Sequence, residues 1–157
     1  MKKIMSVVVC IILVVAMTAC STSPAASNKH VEGTLTELFA KIYANSGVES
    51  PMVMEVAVDD TNKAGMLGTA DVAFIEGLAS EAAIMTIPHS MVLLRVDANS
   101  DIEKTKQLIR DNADPRKWIC VGVENDQVIV DSIGDLIFFV MSANAEAYHT
   151  GFKALAD

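Results

Sequence analysis

The first twenty residues decide which part of this chain can form a folded domain. Lys2 and Lys3 precede an uncharged, strongly apolar run at residues 4–17, and small residues then lead to Cys20. This run of 14 residues is shorter than the roughly 20 that a membrane-spanning helix needs. A charged start, an apolar stretch and a small-residue cleavage site are typical of a secretion signal that is later removed. We therefore expect the folded part of the chain to lie beyond Cys20.

The residues around Cys20 resemble the signal of bacterial lipoproteins, in which the cysteine thiol is acylated and the chain is cut just before it. Thr18 and Ala19 are the small residues that such signals require, although Met17 stands where leucine is more usual. The resemblance implies that residues 1–19 are a lipoprotein signal peptide and that Cys20 carries the lipid. Several acyl chains hold a domain to a bilayer firmly, because each buried CH₂ contributes about 0.8 kcal/mol. The alternatives are an ordinary secretory signal cut nearby and an uncleaved anchor.

The composition of the remaining chain separates a tether from a domain. Residues 20–30 are rich in Ser and Ala and show no apolar periodicity, so we expect a flexible tether there. Residues 31–157 are enough for one hydrophobic core and few for two, which predicts a single domain.

The charge of the chain excludes one class of partner. Twelve basic residues stand against twenty acidic ones, a formal charge of −8, and loss of Lys2 and Lys3 with the signal would make it −10. A domain this acidic has no electrostatic footprint for nucleic acid. It would also be repelled by anionic headgroups, so the membrane contact would be made by the lipid on Cys20.

Capping signals and a proline mark the expected helices. Residues 34–37 (TLTE) and 100–103 (SDIE) both place Thr or Ser three residues before Glu, which is typical of a helix start. The first helix should end at Gly47, and the second, at 101–113, should end before Pro115. Apolar spacing predicts a last helix at 145–155, and short helical turns are expected within 61–77.

Six apolar segments have the composition of β-strands. They are residues 52–58, 81–87, 90–96, 118–123, 127–131 and 136–141. Turn-forming residues separate most neighbouring segments, and strands joined by short connections pair in antiparallel fashion. We therefore predict an α+β fold, with an antiparallel sheet of about five to six strands and helices packed mainly on one face.

The sequence indicates no catalytic residue, no cofactor and no metal site. It lacks a G-x-S-x-G nucleophile elbow, a Gly-rich phosphate loop and an H-E-x-x-H pair. His89 and Ser90 are adjacent, but adjacent residues of a strand point to opposite faces. Met52 and Met54 would suit a soft metal such as Cu(I). With no His or Cys near them in the sequence, we interpret both methionines as core residues.

The three cysteines offer no intramolecular disulfide. Cys10 lies in the apolar run and Cys20 is the expected lipid site, which leaves Cys120 alone. Cys120 belongs to the apolar segment 118–123 (WICVGV), which has strand propensity. Because a buried cysteine behaves as a small hydrophobe, we interpret Cys120 as a structural core residue.

Residues 114–118 (DPRKW) combine charge, a rigid proline and an aromatic ring. Arg116 and Lys117 are adjacent cations in an acidic chain, and Trp118 offers a face for stacking. These three residues are the candidate contacts for a partner or ligand. The simpler interpretation, which we favour, is a helix-to-strand corner in which the cations compensate the negative end of the preceding helix and Trp118 caps the core.

Three segments carry a resemblance to a known family. Residues 90–96 (SMVLLRV), 114–121 (DPRKWICV) and 134–141 (GDLIFFVM), with the signal at Cys20 and the order of elements, resemble Gram-positive (Firmicutes-type) lipoproteins that share domain of unknown function 4358. The likeness covers about residues 35–141. It implies an extracytoplasmic lipoprotein of the same fold and supplies no activity or functional residue. Some members have tyrosine-proline where this chain has Asp114 and Pro115.

These features predict a non-enzymatic binding or accessory module at the outer face of the cytoplasmic membrane. Its partner would be an envelope protein or a small solute, and the small size of the domain favours the protein. The alternative is an envelope enzyme or a redox or anion sensor at the corner from Asp114 to Cys120, where Arg116 and Lys117 hold an anion and Cys120 supplies a reactive thiol. A third hypothesis is self-association through an exposed sheet edge.

Overall fold

A computed structural model describes residues 29–156, which form one five-stranded antiparallel sheet and four α-helices. The α+β class and the strand number are thus as predicted. Cys20, the signal peptide and most of the tether lie outside the described residues. No helix within residues 29–156 is long and apolar enough to cross a membrane. In chain order the elements are α1 (Leu35–Ser46), β1 (Val53–Ala57), α2 (Lys63–Leu67), β2 (Glu76–Ala82), β3 (His89–Arg95), α3 (Ile102–Asn112), β4 (Val128–Ile133), β5 (Leu136–Ser142) and α4 (Ala145–Lys153), with 3₁₀ turns at Asn125–Gln127 and Ala154–Ala156.

The sheet order is β1-β2-β3-β5-β4, which places β3 and β5 side by side near its centre. Every residue of both strands is buried. Because side chains alternate between the two faces of a strand, a strand that is buried throughout needs cover on both faces. The continuous apolar runs of β3 and β5 therefore call for two packed layers, one on each face of the sheet.

Two hydrophobic clusters provide that cover. Helices α1 and α4 pack on one face, where Phe39 and Phe152 meet Phe138 of β5. Helices α2 and α3 contribute to the opposite face, where Leu67 and Ile109 join a cluster with β3 and β5 side chains. The expectation that helices lie mainly on one face thus describes α1 and α4, whereas the other two helices cover the second face.

The helix starts follow local hydrogen bonding. The Glu37 N–H donates to the Thr34 hydroxyl and the Thr34 N–H donates to the Glu37 carboxylate, so the first capping box is present as predicted. Gly47, with φ of 70°, ends α1. The helix predicted at 101–113 corresponds to α3, and it starts instead from Asp101, whose carboxylate accepts from the Lys104 N–H at 3.0 Å. The expected box from Ser100 is therefore wrong by one residue.

Strand β2 covers Glu76–Ala82 and not the predicted 81–87. The backbone at Gly77 lies close to the Val58 side chain, and an added Cβ would be 2.9 Å from the Val58 Cβ. This close approach explains why glycine, a residue of low strand propensity, occupies the position. The more β-prone residues that follow, including Ile84 and Ile87, form an exposed turn.

The predicted strand at 118–123 is absent, because the chain folds back on itself there. The Val123 N–H donates to the Pro115 carbonyl at 2.9 Å, and an added Cβ at Gly122 would lie 2.7 Å from the same oxygen. Cys120 is exposed and adopts a left-handed φ of 68°. Its interpretation as a buried core residue is therefore wrong.

The interpretation of Met52 and Met54 as core residues is also wrong. Their exposed fractions are 72% and 55%. Met54 lies in β1, which is an edge strand with one neighbour. Its side chain lies on a face of the sheet that the helices leave uncovered at this edge.

The first described residues are fixed at one end of the sheet, which we call the anchor end. Arg95, at the end of β3, donates to the Val31 carbonyl at 3.0 Å and the Gly33 carbonyl at 2.9 Å, and it pairs with Asp135 at 3.2 Å. An added Cβ at Gly134 would lie 1.7 Å from the carbonyl oxygen of Lys29. The chain thus enters the domain at the anchor end, while His89 and Ser142 lie at the opposite, distal end.

Candidate functional site

A polar network lies at the distal end, inside the layer between the sheet and helices α1 and α4. The Tyr43 hydroxyl is 2.7 Å from Ser80 Oγ and 2.9 Å from His89 Nε2. The other ring nitrogen of His89 is 3.2 Å from Ser142 Oγ. His89 pairs with Ser142 across β3 and β5, so their side chains share one face of the sheet. Side chains from α1 and β5 therefore contact the His89 ring, and Ser80 of β2 is joined to it through Tyr43.

The network is neutral at physiological pH. Burial, reinforced by the positive charge of Lys117, lowers the pKa of His89 to about 4. Burial likewise raises the pKa of Tyr43 to about 12. A neutral imidazole has one donor and one acceptor nitrogen. When Tyr43 donates to Nε2, the Nδ1–H donates to Ser142, and the Ser142 hydroxyl proton is then available to a further acceptor.

Tyr148 completes the cluster with an unsatisfied group. Its ring packs edge-on against His89, with centroids 5.2 Å apart, and against Tyr43 at 5.5 Å. The hydroxyl is buried and meets no atom of residues 29–156 in hydrogen-bond geometry. Burial raises the pKa of this phenol, and a contact with the Asn144 side chain, which falls outside full hydrogen-bond geometry, opposes the shift. Leaving a buried donor unpaired costs roughly 1–3 kcal/mol.

A cavity of about 400 Å³ adjoins these groups. Its wall combines the polar side chains of the cluster with apolar side chains from the loops at the distal end. Glu49 is the one carboxylate among the lining residues. The residues that matter for the argument are His89, Ser142 and Tyr148 on the polar side and Pro51, Met52 and Ile87 on the apolar side.

This arrangement suits binding better than proton transfer. The contact between Ser142 and His89 has the partners of a nucleophile and its base. However, a base with a pKa of about 4 is poorly matched to reaction near neutral pH. Within residues 29–156 no group of three His, Cys, Asp or Glu side chains is placed to hold a metal ion. The cluster therefore offers hydrogen-bond donors and acceptors beside an apolar wall.

The predicted contact residues lie elsewhere, on the opposite face of the sheet. Lys117 Nζ is 3.0 Å from the Glu81 carboxylate and donates to Ser90 Oγ at 2.9 Å. The side chains of Lys117 and Glu81 are each only 16% exposed. Ser90 also donates to Glu81. Lys117 is thus bound to β2 and β3, and it does not compensate the end of α3 as the sequence suggested.

The neighbours of Lys117 differ in their surroundings. Trp118 is partly buried against the core, and Lys117 Nζ lies 5.3 Å from its ring centroid. Arg116 is exposed, and its backbone N–H donates to the Asp114 carboxylate at 2.9 Å. Of the three candidate contacts, Arg116 is the side chain most open to a partner, whereas Lys117 and Trp118 help to hold the corner on the sheet.

Sequence reasoning considered His89 only beside Ser90 and missed Tyr43, Ser142 and Tyr148. As expected for adjacent strand residues, Ser90 points away from His89, towards Lys117. Tyr43, His89 and the segment with Ser142 and Tyr148 come from distant parts of the chain, so spacing cannot bring them together. One sequence signal could have indicated the site. A polar residue flanks each of the two long apolar runs: His89 precedes SMVLLR in β3, and Ser142 follows LIFFVM in β5.

Comparisons with known proteins identify no relative that could help to interpret this site. A scan of the chain against protein-family models gives no match, and searches of curated proteins and of solved structures give none. The resemblance to Gram-positive lipoproteins stays a prediction from the sequence.

The Lys117 contacts predict a difference between the two adjacent cations. Lys117→Met leaves Glu81 and Ser90 without their cation, so we expect the free energy of unfolding to fall by about 1–3 kcal/mol. Arg116→Glu should change it by less than about 0.5 kcal/mol, as is usual for exposed positions. Urea unfolding of the full chain in mild detergent measures both. If the Lys117→Met variant were as stable as the parent, Lys117 would not be needed to hold the corner on the sheet, and a role in contacting a partner would be favoured.

The buried His89 predicts a specific pH dependence. Its pKa in the folded protein, about 4, lies below the unfolded value of about 6.5. Stability from neutral His89 is therefore fully present above pH of about 6.5 and is lost as the pH falls towards 4. Between pH 7 and 4.5 this loss should reach about 2–3 kcal/mol.

The His89→Gln variant should lack this component, so its unfolding free energy should change less over the same range in urea titrations. NMR titration of the His89 ring protons gives an independent control. A midpoint near 6.5 for His89 in the folded protein would show that the ring is not held neutral by burial.

Proposed function

We propose that this chain is a lipid-anchored, extracytoplasmic binding module of the cell envelope whose ligand occupies the distal cavity. The observation that carries the proposal is the Tyr148 hydroxyl, which is buried without a partner among the described residues and belongs to a residue lining the cavity. Native proteins rarely retain such a group. Because the hydroxyl is covered in this arrangement, a ligand acceptor would satisfy it after the wall of the cavity shifts to expose it.

The placement of the cavity agrees with an anchored module. The described chain starts at the anchor end of the sheet, and His89 and Ser142 lie at the distal end. A strand of seven residues separates these ends by about 20 Å. If Cys20 carries the lipid, the residues up to 28 span at most about 30 Å. Such a tether would allow the cavity to face away from the bilayer.

The lining residues define the class of ligand. Tyr148 offers a donor, and Ser142 offers another in one proton arrangement of the network. Pro51, Met52 and Ile87 provide apolar surface, and Glu49 adds one negative charge. The chain carries a formal charge of −8, which disfavours anions. The ligand is therefore a small neutral or cationic molecule, or the end of a polypeptide, with a hydrogen-bond acceptor beside an apolar group.

A second candidate function is a redox or anion sensor at the corner from Asp114 to Cys120. The observation that favours it is the exposure of the Cys120 thiol together with the exposed Arg116. Lys117 contributes little to such a site, because its ammonium group is held by Glu81 and Ser90. The resemblance to envelope lipoproteins fits either function, since it supplies only a location.

The anchor predicts that Cys20→Ala changes where the protein is found. In a Gram-positive host, the parent chain should remain in the membrane fraction and incorporate labelled fatty acid. The variant should lose the label and leave the membrane, because no acyl chain would hold an acidic domain there. Immunoblots of membrane and culture medium make the comparison. Membrane retention of an unlabelled Cys20→Ala variant would favour the uncleaved anchor.

The Tyr148 hydroxyl predicts opposite effects on stability and binding. Tyr148→Phe removes an unpaired buried donor, so the free energy of unfolding should rise by about 1 kcal/mol. Binding of a ligand that accepts from the hydroxyl should weaken by about tenfold. Thermal denaturation measures the first effect. Native mass spectrometry of protein purified from its host, with a thermal-shift screen of small amides and amines, measures the second.

The matched control for this experiment is Arg116→Glu, which alters the corner and leaves the cavity intact. It should bind any ligand found with the parent chain at unchanged affinity. Loss of binding with Arg116→Glu and retention with Tyr148→Phe would contradict the cavity and support the corner. A Tyr148→Phe variant less stable than the parent would show that the hydroxyl is already satisfied.

A further inference from the structure

The two edges of the sheet differ in how well their backbone groups are covered. The edge strands are β1 and β4. An edge strand exposes a row of backbone N–H and C=O groups that another chain can pair with, and proteins usually block such edges. The hydrogen bonds within the sheet determine which backbone groups of each edge strand point outward.

The edge at β4 is blocked. The Val96 N–H donates to the Asp135 carbonyl, and the strand registers then direct the Val130 carbonyl away from β5. Arg110 of α3 donates to this outward carbonyl at 2.9 Å. Lys106 of the same helix donates to Ser132 Oγ at 3.1 Å. Two cationic side chains therefore cover the edge where a further strand would add.

The edge at β1 is open. The Val58 N–H donates to the Gly77 carbonyl at 2.9 Å, and the Ala83 N–H donates to the Met52 carbonyl at 2.8 Å. Hydrogen-bonded pairs alternate along an antiparallel ladder. The even-numbered residues of β1 therefore direct their backbone N–H and C=O groups towards β2. Val53, Glu55 and Ala57 direct their backbone groups outward.

Only one of these outward groups has a partner among the described residues. The Ala57 carbonyl accepts from the Asn62 side chain at 2.8 Å. The Asn62 contact lies at the end of β1, so the backbone groups of Val53 and Glu55 still present a strand-pairing template.

From these contacts we propose that β1 is a docking edge for an extended segment of a partner protein, with apolar residues on one face and a basic residue opposite Glu55. The exposed Met52 and Met54 would pack against the apolar face, and flexible methionines adapt to varied partners. The Glu55 carboxylate, on the other face, accepts from the Thr36 hydroxyl at 2.7 Å and remains exposed.

Charge decides between such a segment and a second copy of the chain. Two copies would each carry a formal charge of −8. The antiparallel register that pairs all three outward residues also places Glu55 directly opposite Glu55 of the other copy, and like charges in this position are destabilising. A basic segment has neither disadvantage. The proposal rests on the edge alone and is independent of the distal cavity.

The test uses the full chain in mild detergent and three capped peptides. The probe is Lys-Leu-Lys-Leu-Lys, whose three lysines can pair with the three outward residues while both leucines lie on the side of Met54. The same peptide methylated at the three lysine amide nitrogens has the same charge but lacks the N–H groups that would pair with β1, and Glu-Leu-Glu-Leu-Glu has the opposite charge. Hydrogen exchange of individual amides is the readout, because strand addition should slow exchange at Val53, Glu55 and Ala57 by about tenfold or more.

Two substitutions separate backbone pairing from charge. Glu55→Pro removes an outward N–H that β2 does not use, so the fold should persist, as edge strands tolerate proline, and affinity for the probe should fall by about tenfold or more. Glu55→Gln keeps the N–H and should weaken binding by only about two- to fivefold. The N-methylated peptide and the acidic peptide should leave the three amides unprotected.

Three outcomes would overturn the proposal. The first is unchanged exchange at the three amides at saturating Lys-Leu-Lys-Leu-Lys. The second is equal protection by the N-methylated peptide, which would indicate attraction by charge without strand pairing. The third is protection of the three amides without peptide in a chain that sediments as a dimer, which would assign the edge to a second copy. Because Glu55→Gln preserves the backbone, the test stands even if Glu55→Pro fails to fold.

Discussion

The fold depends on the pairing of β3 with β5, two adjacent strands that are buried on both faces. A strand buried in this way can carry polar groups only where partners exist, since an unpaired buried polar group is costly. The pair keeps its middle apolar and places its polar side chains mainly at the two ends. Because helices cover both faces of this central pair, the ends and edges of the sheet are its more accessible parts.

The two ends satisfy their polar groups to different degrees. At the anchor end, the Arg95 guanidinium is saturated by the carbonyls of Val31 and Gly33 and by Asp135, so this end is complete and fixes the start of the domain. At the distal end, His89 is neutral and fully bonded, but the Tyr148 hydroxyl beside it is not. A complete network indicates a structural role. The incomplete network next to a cavity is the observation on which the proposed ligand site rests.

The sequence predicted those parts of the fold that local chemistry determines. The capping box at Thr34 and the apolar runs of β3 and β5 produced elements close to the predicted ones. The prediction failed where long-range contacts override local preference. Gly77 enters β2 because the chain passes close to Val58, and residues 118–123 leave the sheet because Gly122 packs against Pro115. The site itself joins α1, β3, β5 and α4, so no spacing in the sequence could have assembled it.

The open edge and the distal cavity meet at Met52. Met52 is one of the residues that line the cavity, and its carbonyl accepts from the Ala83 N–H where β1 begins. A segment paired with β1 would therefore run past the rim of the cavity at one of its ends. The free backbone groups of Val53 and Glu55 would hold such a segment along the edge. The edge and the cavity are separate proposals with separate tests, but their contiguity at Met52 would let one extended partner contact both.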